Sequence, residues 1–509
     1  MTHAAGAAPR AAAARALALG IFAPLLAGAA CVAGFAPFYA WPVPIVALAV
    51  LLHAWTRSAT PRQAALSGFA FGLGLFLAGV SWVYVSLHDF GSMPAPLAAL
   101  ATFFFCAYLA LFPAGAGWVT VRLSGARAGV RLASGAAMLV AFEWVRGWLF
   151  TGFPWLNLGT SQAPSSPLAG YAPLLGAYGT SLAVTGAAAL AAALLASRAW
   201  SRGRVLLLAG LAGLFVAGAI ARAIAWTQPA GPPVAVALLQ GNVAQDLKWR
   251  EDMRPRILDD YARMIVAADA PVVIVPETAL PALLDQLPAG YLAALRDHAR
   301  AARKHILLGT VERNPRGGEV DYYNSLVSLG EPGLPAYRKR HLVPFGEFIP
   351  PGFGWILAVL KIPMSDFARG AAGQPLLEAA GIPVAVAICY EDIFGEELIE
   401  ALPAAQLLVN VSNDAWFGRS FAAEQHLQFS QMRALETGRW MVRSTNTGVT
   451  AAIAPSGHVA SRLPQFTVGT LLEKIEPRTG MTPYARFGNT PALVLVLGLA
   501  LAGWARRRA

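Results

Sequence analysis

The stretch Val384-Ala-Val-Ala-Ile388-Cys389-Tyr390-Glu391-Asp392 decides how this chain is read. Five apolar residues without alternation predict a buried strand, and the polar residues after Cys389 predict a turn. A cysteine at the end of such a strand is held rigidly while its sulfur faces a cleft, which makes Cys389 a candidate nucleophile. On position alone, a small inert thiol packed in the core is an equally good reading. Similar short β-type runs lie at 234–240, 272–275, 306–309, 325–329, 407–411 and 447–454. Helical patterns at 252–268, 290–304 and 423–438 separate several of them. Strands alternating with helices predict a layered α/β domain over residues 228–488.

Two further residues of this domain are suited to chemistry. Glu277 follows the apolar run Val272-Val-Ile-Val275-Pro276. A carboxylate just past a buried strand is partly desolvated, which makes it a usable general base. Taken alone, a turn or capping acid is the better reading. Lys339 lies in Tyr337-Arg338-Lys339-Arg340-His341-Leu342-Val343-Pro344-Phe345-Gly346-Glu347. A lysine in a basic run usually sits on a solvated face, but the abrupt apolar continuation argues against a plain surface strip. No GxGxxG, P-loop or zinc-ligand spacing occurs, so no cofactor and no metal is expected.

The chain around this domain has a different character. Of its 509 residues, 56% are hydrophobic and only 13% charged, about half the charged share of a soluble protein. That composition excludes a disordered chain and an ordinary cytosolic globule. The three cysteines exclude a disulfide scaffold. The net charge of +11 resembles a nucleic-acid footprint until it is located. Residues 1–227 hold 12 Lys/Arg against two acids, Asp89 and Glu143. Residues 228–488 carry a net −2, and residues 489–509 carry Arg506, Arg507 and Arg508. The basicity belongs to the apolar ends, so no nucleic-acid partner is expected.

Seven long apolar runs precede residue 228, near 16–34, 38–55, 65–87, 96–121, 132–150, 168–196 and 205–224, and an eighth covers 490–504. Most reach the roughly 20 residues that cross a bilayer, and none alternates like a barrel strand. This predicts eight transmembrane helices: seven in a domain over 1–227, and a final helix with a tail over 489–509. Arginines gather at the N-terminus, in the second, fourth and sixth connections, and at the C-terminus. The first and third connections carry none, and the fifth only Arg146. The positive-inside rule then places both termini in the cytoplasm and residues 228–488 outside. Trp41, Trp82, Tyr84, Trp144, Trp148 and Trp155 fall near the outer ends, as an aromatic belt would. A cleaved signal peptide over the first run is disfavoured by the six spans that follow it.

Glu277, Lys339 and Cys389, in that order and local context, resemble the Glu-Lys-Cys triad of the nitrilase superfamily. With the flanking helices, the whole chain is similar to the bacterial apolipoprotein N-acyltransferase family. Further similar segments are Leu239-Gln240-Gly241-Asn242, Lys248-Trp249, His341 to Glu347, Cys389-Tyr390-Glu391 and Asn413-Asp414-Ala415-Trp416-Phe417-Gly418. The resemblance implies an α-β-β-α sandwich outside a bacterial inner membrane. It implies transfer of an acyl chain from a phospholipid to the α-amino group of a diacylglyceryl-modified cysteine on an apolipoprotein, through a Cys389 thioester and without a cofactor. The expected state is a monomer.

The resemblance also gives Glu347 a role in orienting Lys339 or the substrate, and makes Glu391 a second candidate. The Tyr390 backbone N–H is a candidate oxyanion donor. Trp249 and Trp416 are candidate pocket residues, with ordinary core packing as the alternative. The broken apolar segment 344–363, with Phe353 and Trp355, reads as an interfacial loop admitting lipid, or as a flap over a core. Two other functions remain open from sequence. One is a membrane-tethered amidase that passes the acyl group to water. The other is a transporter or receptor with an outer binding domain, although transporters usually carry ionisable groups within their spans.

Overall fold

The structure, a computed structural model, describes residues 20–197, 200–316, 319–350 and 366–508. These residues form two compact units. One comprises the described chain up to Val83, Pro96–Ile224 and the residues from Asn489 onward; the other comprises Tyr84–Ala95 and Ala225–Gly488.

The first unit is helical wherever the sequence is continuously apolar. Ala95–Ser124, Ala128–Arg146, Pro167–Ala196 and Arg202–Arg222 are each long and apolar enough to cross a membrane. Pro61–Gly79 and Val83–Phe90 pass the same test only together, with a bend of 56° between them. Among the described residues, Gly20–Gly34, Pro42–Arg57 and Thr490–Arg506 are apolar but shorter, and residues 16–19 of the first expected run lie outside the described residues. By length and hydropathy, four or five of the described helices qualify, against the eight expected. The differences have local causes. Proline at the first helical position starts the second run at Pro42 rather than residue 38. The expected third run is interrupted after Gly79.

Glycines bring these helices together. A Cβ at Gly28 would lie 1.9 Å from the Phe71 carbonyl oxygen, and one at Gly74 would lie 2.0 Å from that of Leu25. The two helices can therefore touch backbone to backbone, as small residues allow in membranes. The acid of this unit is tied down. Glu143 accepts from Leu158 N (2.7 Å) and Ser181 Oγ (2.5 Å) and stands 3.8 Å from Arg146. Arg146 in turn donates to the Trp155 carbonyl at 2.7 Å. The buried pair braces the turn after helix Ala128–Arg146.

The second unit contains fourteen described strands. They are β1 (Thr227–Pro229), β2 (Val234–Gln240), β3 (Val272–Val275), β4 (His305–Arg316), β5 (Glu319–Ser328), β6 (Ala336–Arg338) and β7 (Leu377–Ala379), then β8 (Ile382–Ile388), β9 (Leu407–Ser412), β10 (Met441–Thr445), β11 (Ala451–Ile453), β12 (Val459–Arg462), β13 (Gly469–Ile475) and β14 (Arg478–Gly480). One six-stranded sheet runs β13-β2-β3-β4-β5-β6 and the other β12-β11-β10-β9-β8-β7. Their centres are parallel: β2, β3 and β4 in one, and β8, β9 and β10 in the other.

Alternate residues of each central strand point to opposite layers. Val236, Leu238, Val272 and Ile274 meet Val384, Val386, Ile388, Val409 and Val442 in a core between the sheets. Ala237, Leu239, Val273 and Val275 face the other way, onto Ile257, Tyr261 and Ile265 of helix Arg254–Ala267 and Leu295 of helix Tyr291–Ala301. Ala385, Ala387, Leu408 and Met441 face Leu427 and Ala434 of helix Ala422–Thr437. The result is the expected helix–sheet–sheet–helix layering. Each fully buried Val, Leu or Ile in the middle layer contributes about 1.5–3 kcal/mol.

Several strands were not among the sequence expectations. β13 alternates core and solvent residues and carries Glu473 and Lys474. β10 is wholly buried yet contains Arg443, Ser444 and Thr445. Neither presents the apolar run that marks β3 or β8.

Candidate active site

Glu277 and Cys389 both lie just past the C-terminal ends of central parallel strands, β3 and β8, one in each sheet. That edge is where open α/β sheets place their chemistry. The layering therefore brings residues 112 positions apart in sequence to the same end of the sandwich. The local backbone is unusual at both. Thr278 has φ +43 and Cys389 φ +53. Non-glycine residues rarely adopt these values, and such strain persists only where the surroundings hold it. At Cys389 the holders are visible: its carbonyl accepts from Asn410 Nδ2 at 3.1 Å and pairs with His426 Nε2 at 3.2 Å.

The Glu277 carboxylate is 6% exposed and held at both oxygens. Oε1 accepts from Asn324 Nδ2 at 2.7 Å and from Lys339 Nζ at 3.4 Å. Oε2 accepts from the Asn413 backbone N–H at 2.7 Å. Lys339 follows β6, and its backbone N–H donates to Asn324 O on β5 at 2.8 Å. Its ammonium is buried and donates to Glu347 Oε1 at 2.8 Å. Glu347 is fixed in turn by Asn324 Nδ2 (3.0 Å) and Val343 N (2.9 Å). Asn324 thus bridges the two carboxylates that share Lys339.

Electrostatics sets the resting state. Burial works against the Lys339 charge, but Glu347 and Glu277 outweigh it and hold the ammonium well above its ordinary range. Lys339 is a permanent cation. Burial and the Glu277 carboxylate push the Cys389 thiol well up, while Lys339 pulls it down. Cys389 therefore rests as a thiol under the opposing influence of the two charges and is half-buried. The arrangement can pass a proton from sulfur to carboxylate when an electrophile arrives, with an ammonium to stabilise the anion produced.

Glu391 is a bracket. It accepts from Ile388 N (2.7 Å), Arg340 N (2.6 Å), His341 N (3.1 Å) and the Tyr337 hydroxyl (3.2 Å). It therefore joins the segment after Lys339 to the turn that carries Cys389. Burial pushes it up to about 7, against the backbone donors and Lys339. Tyr390 is buried, with its ring 5.2 Å from Phe394 and 5.9 Å from His341. Trp249 is half-buried at the end of helix Gln245–Lys248. Trp416 is also half-buried, 6.0 Å from Phe90, and its carbonyl accepts from Ser86 Oγ at 2.8 Å. Phe353 and Trp355 lie outside the described residues.

Asn324, His426 and Arg443 were not singled out in the sequence, and Asp392 and Asp414 appeared there only inside longer quoted segments. Asn324 stands in β5 with no flanking signal. Behind Cys389, His426 pairs with Asp392 and Asp414 at 2.9 Å each, and Arg443 pairs with the same two acids at 3.2 and 2.8 Å. Burial and an Arg443 Nη2 only 2.7 Å from Nδ1 oppose charge on His426, but the two aspartates prevail and raise it to about 9. The one available signal was polar residues inside an otherwise buried helix and strand, which reads as surface until the packing is seen.

Residues 27–190 match the family model described as Apolipoprotein N-acyltransferase N-terminal domain, and residues 235–484 match Carbon-nitrogen hydrolase. An apolipoprotein N-acyltransferase of Nitrosomonas europaea is 51% identical over 482 residues, covering 94% of this chain and 95% of its own. One of Ralstonia nicotianae is 46% identical, with 93% and 91% covered. One of Chromobacterium violaceum is 46% identical, with 96% and 94% covered.

Proposed function

The chain belongs to the apolipoprotein N-acyltransferase family and is an acyltransferase of the membrane with a nitrilase-like domain, and we propose that it works through a Cys389 thioester. The observation that carries this reading is the Glu277–Lys339–Glu347 cluster, in which Glu277 and Lys339 act on Cys389. Glu277 takes the thiol proton as sulfur attacks the ester carbonyl of a phospholipid. Lys339 and the Tyr390 backbone N–H stabilise the oxyanion of the tetrahedral intermediate. Its collapse breaks the ester C–O bond, and the proton on Glu277 passes to the departing glycerol oxygen. Lysophospholipid leaves and the acyl chain stays on sulfur.

In the second half, the α-amino group of a diacylglyceryl-cysteine attacks the thioester. Glu277 removes a proton from the nitrogen, the C–S bond breaks, and that proton returns to sulfur. Amines attack thioesters readily and the amide lies downhill, so no external energy source is required. Glu347 orients Lys339. Glu391 keeps the Lys339 segment and the Cys389 turn in register. Trp249 and Trp416 border the acyl or lipoprotein pocket.

The eight apolar runs are read as eight crossings: seven within residues 1–227 and one in 489–509. The catalytic domain, 228–488, then lies on the periplasmic face of the inner membrane, with both termini cytoplasmic. Alternating arginine content supports that orientation. The protein acts as a monomer on a phospholipid donor and an apolipoprotein acceptor.

The test is intact mass spectrometry of the purified protein after incubation with phosphatidylethanolamine. The expected result is a fatty-acyl increment on Cys389 that disappears when a diacylated lipopeptide is added, with N-acylated peptide appearing in its place. An increment on any other residue, or free fatty acid in place of acylated peptide, would overturn the reading and favour an amidase-like hydrolase.

A further inference from the structure

Lys248 is among the largest fully buried side chains, 1% exposed, and the reaction above leaves it without a task. It ends the one-turn helix Gln245–Lys248. The segment leading to it is strapped to the site. Asn242 N and Val243 N donate to the backbone oxygen and Oδ1 of Asn446, each at 2.9 Å. Gln245 Oε1 accepts from Asn413 Nδ2 at 2.8 Å. From this fixed base, Lys248 Nζ donates to Thr278 Oγ1 at 2.7 Å and reaches the Glu277 carbonyl oxygen at 3.5 Å.

Three features make this more than packing. Thr278 is a β-branched residue at φ +43, so something must hold it in a left-handed conformation, and its hydroxyl bond to Lys248 does so. Nζ contacts the main chain of Glu277 but leaves the carboxylate to its other donors. Burying an ammonium against two neutral oxygens is costly unless opposite charge stands close by. The titratable groups whose charges reach Lys248 are Glu277 and Cys389. Lys339 and Glu347 stand beyond Glu277, and Asp246, on its own helix, is exposed.

We propose that Lys248 is a positioning residue of the acyl transfer: it clamps the Glu277–Thr278 turn and supplies a second positive charge beside the proposed base. The inference rests on the reading of Glu277 as the base. Lys339 alone leaves one ammonium between two carboxylates; with Lys248 the charges balance. Burial lowers Lys248 to about 8, against the pull of Glu277 and Cys389, so its charge is poised near working pH rather than locked. Once the proton moves to Glu277, the negative charge sits on sulfur, still facing both lysines.

The experiment measures single-turnover acyl-enzyme formation by the full-length protein from phosphatidylethanolamine in mixed micelles, from about pH 5 to about pH 9. The acid limb of that profile reports loss of the ionised form of the proposed base. Removing a nearby cation raises a carboxyl pKa, so Lys248→Met and Lys248→Gln should both move the acid limb upward, by about one pH unit or more. Lys248→Gln keeps a donor for Thr278 and carries the test if the methionine variant does not fold. Lys248→Arg should leave the limb in place. Thr278→Val, which loses the clamp but not the charge, should slow the reaction equally at every pH. An unmoved limb in the neutral variants, or a limb displaced as far by Thr278→Val, overturns the proposal. A Glu277→Gln enzyme that keeps the wild-type limb would instead overturn the base assignment on which it rests.

Discussion

Around Lys339, two carboxylates share one ammonium; around Arg443, two carboxylates share a guanidinium and an imidazolium. Both clusters are buried and both adjoin Cys389, yet their chemistry differs. In the Arg443 cluster, burial alone would raise Asp414, but Arg443 and His426 hold it well below the usual carboxylate range. Every charge there has an opposite, and the output is geometric: His426 Nε2 and Asn410 Nδ2 fix the Cys389 carbonyl. Around Lys339, burial and then the Glu277 carboxylate push the Cys389 thiol up, while Lys339 pulls it down. The Arg443 cluster holds geometry, whereas the Lys339 cluster carries the carboxylate proposed to take the thiol proton.

Breaking the reactive side should give the largest effect. Cys389→Ala should remove acyl transfer entirely, a loss on the order of 10⁴-fold or more, with an unchanged melting temperature and no acyl-enzyme mass. Glu277→Gln should slow acyl-enzyme formation by about 10²–10⁴-fold, the usual worth of a positioned base. In both variants the Arg443 cluster stays whole, so folding is expected to persist.

Breaking the balanced side should read out first as stability. Arg443→Met leaves Asp392 and Asp414 facing each other with only His426 between them. A loss of about 3–5 kcal/mol is expected, measured by denaturant unfolding of the second unit, and activity should fall with the folded fraction. The pH dependence sharpens the contrast. His426 is raised in the folded state, to about 9 from an unfolded value near 6.5. Its stabilisation is therefore complete below about pH 6.5 and is lost as pH rises through about 9. The loss should approach about 3 kcal/mol and should vanish from the profile of His426→Asn. Smallest is Tyr337→Phe, which removes one hydroxyl from Glu391. About 1 kcal/mol of stability and a few-fold in rate are expected, because three backbone donors remain.

Much of this was legible in the chain itself. Apolar runs 272–275 and 384–388 mark strands buried on both faces, and a polar residue placed just past such a run has little choice but to face the sheet edge. Glu277 and Cys389 were found that way, and Lys339 through its motif. The proposed orientation rests on arginine spacing, which needs no coordinates because the rule depends on composition alone. Helix lengths were less legible: the bend after Gly79 and the start at Pro42 depend on local breaks that hydropathy averages over.

What only the tertiary structure decided is which polar residues are inside. Asn324 and Arg443 look like surface chemistry in a linear reading, and Asn413 and Lys248 stand in segments similar to the family without any sign that they are buried. Their burial follows from long-range pairing, Asn324 against Glu277 and Arg443 against Asp392 and Asp414, and no local pattern encodes a partner many residues away. The chain alone specifies where apolar surface must be hidden, since hydrophobic burial is additive along the sequence. Charge compensation is pairwise and falls off with distance through space, so it exists only once distant strands have paired within each sheet.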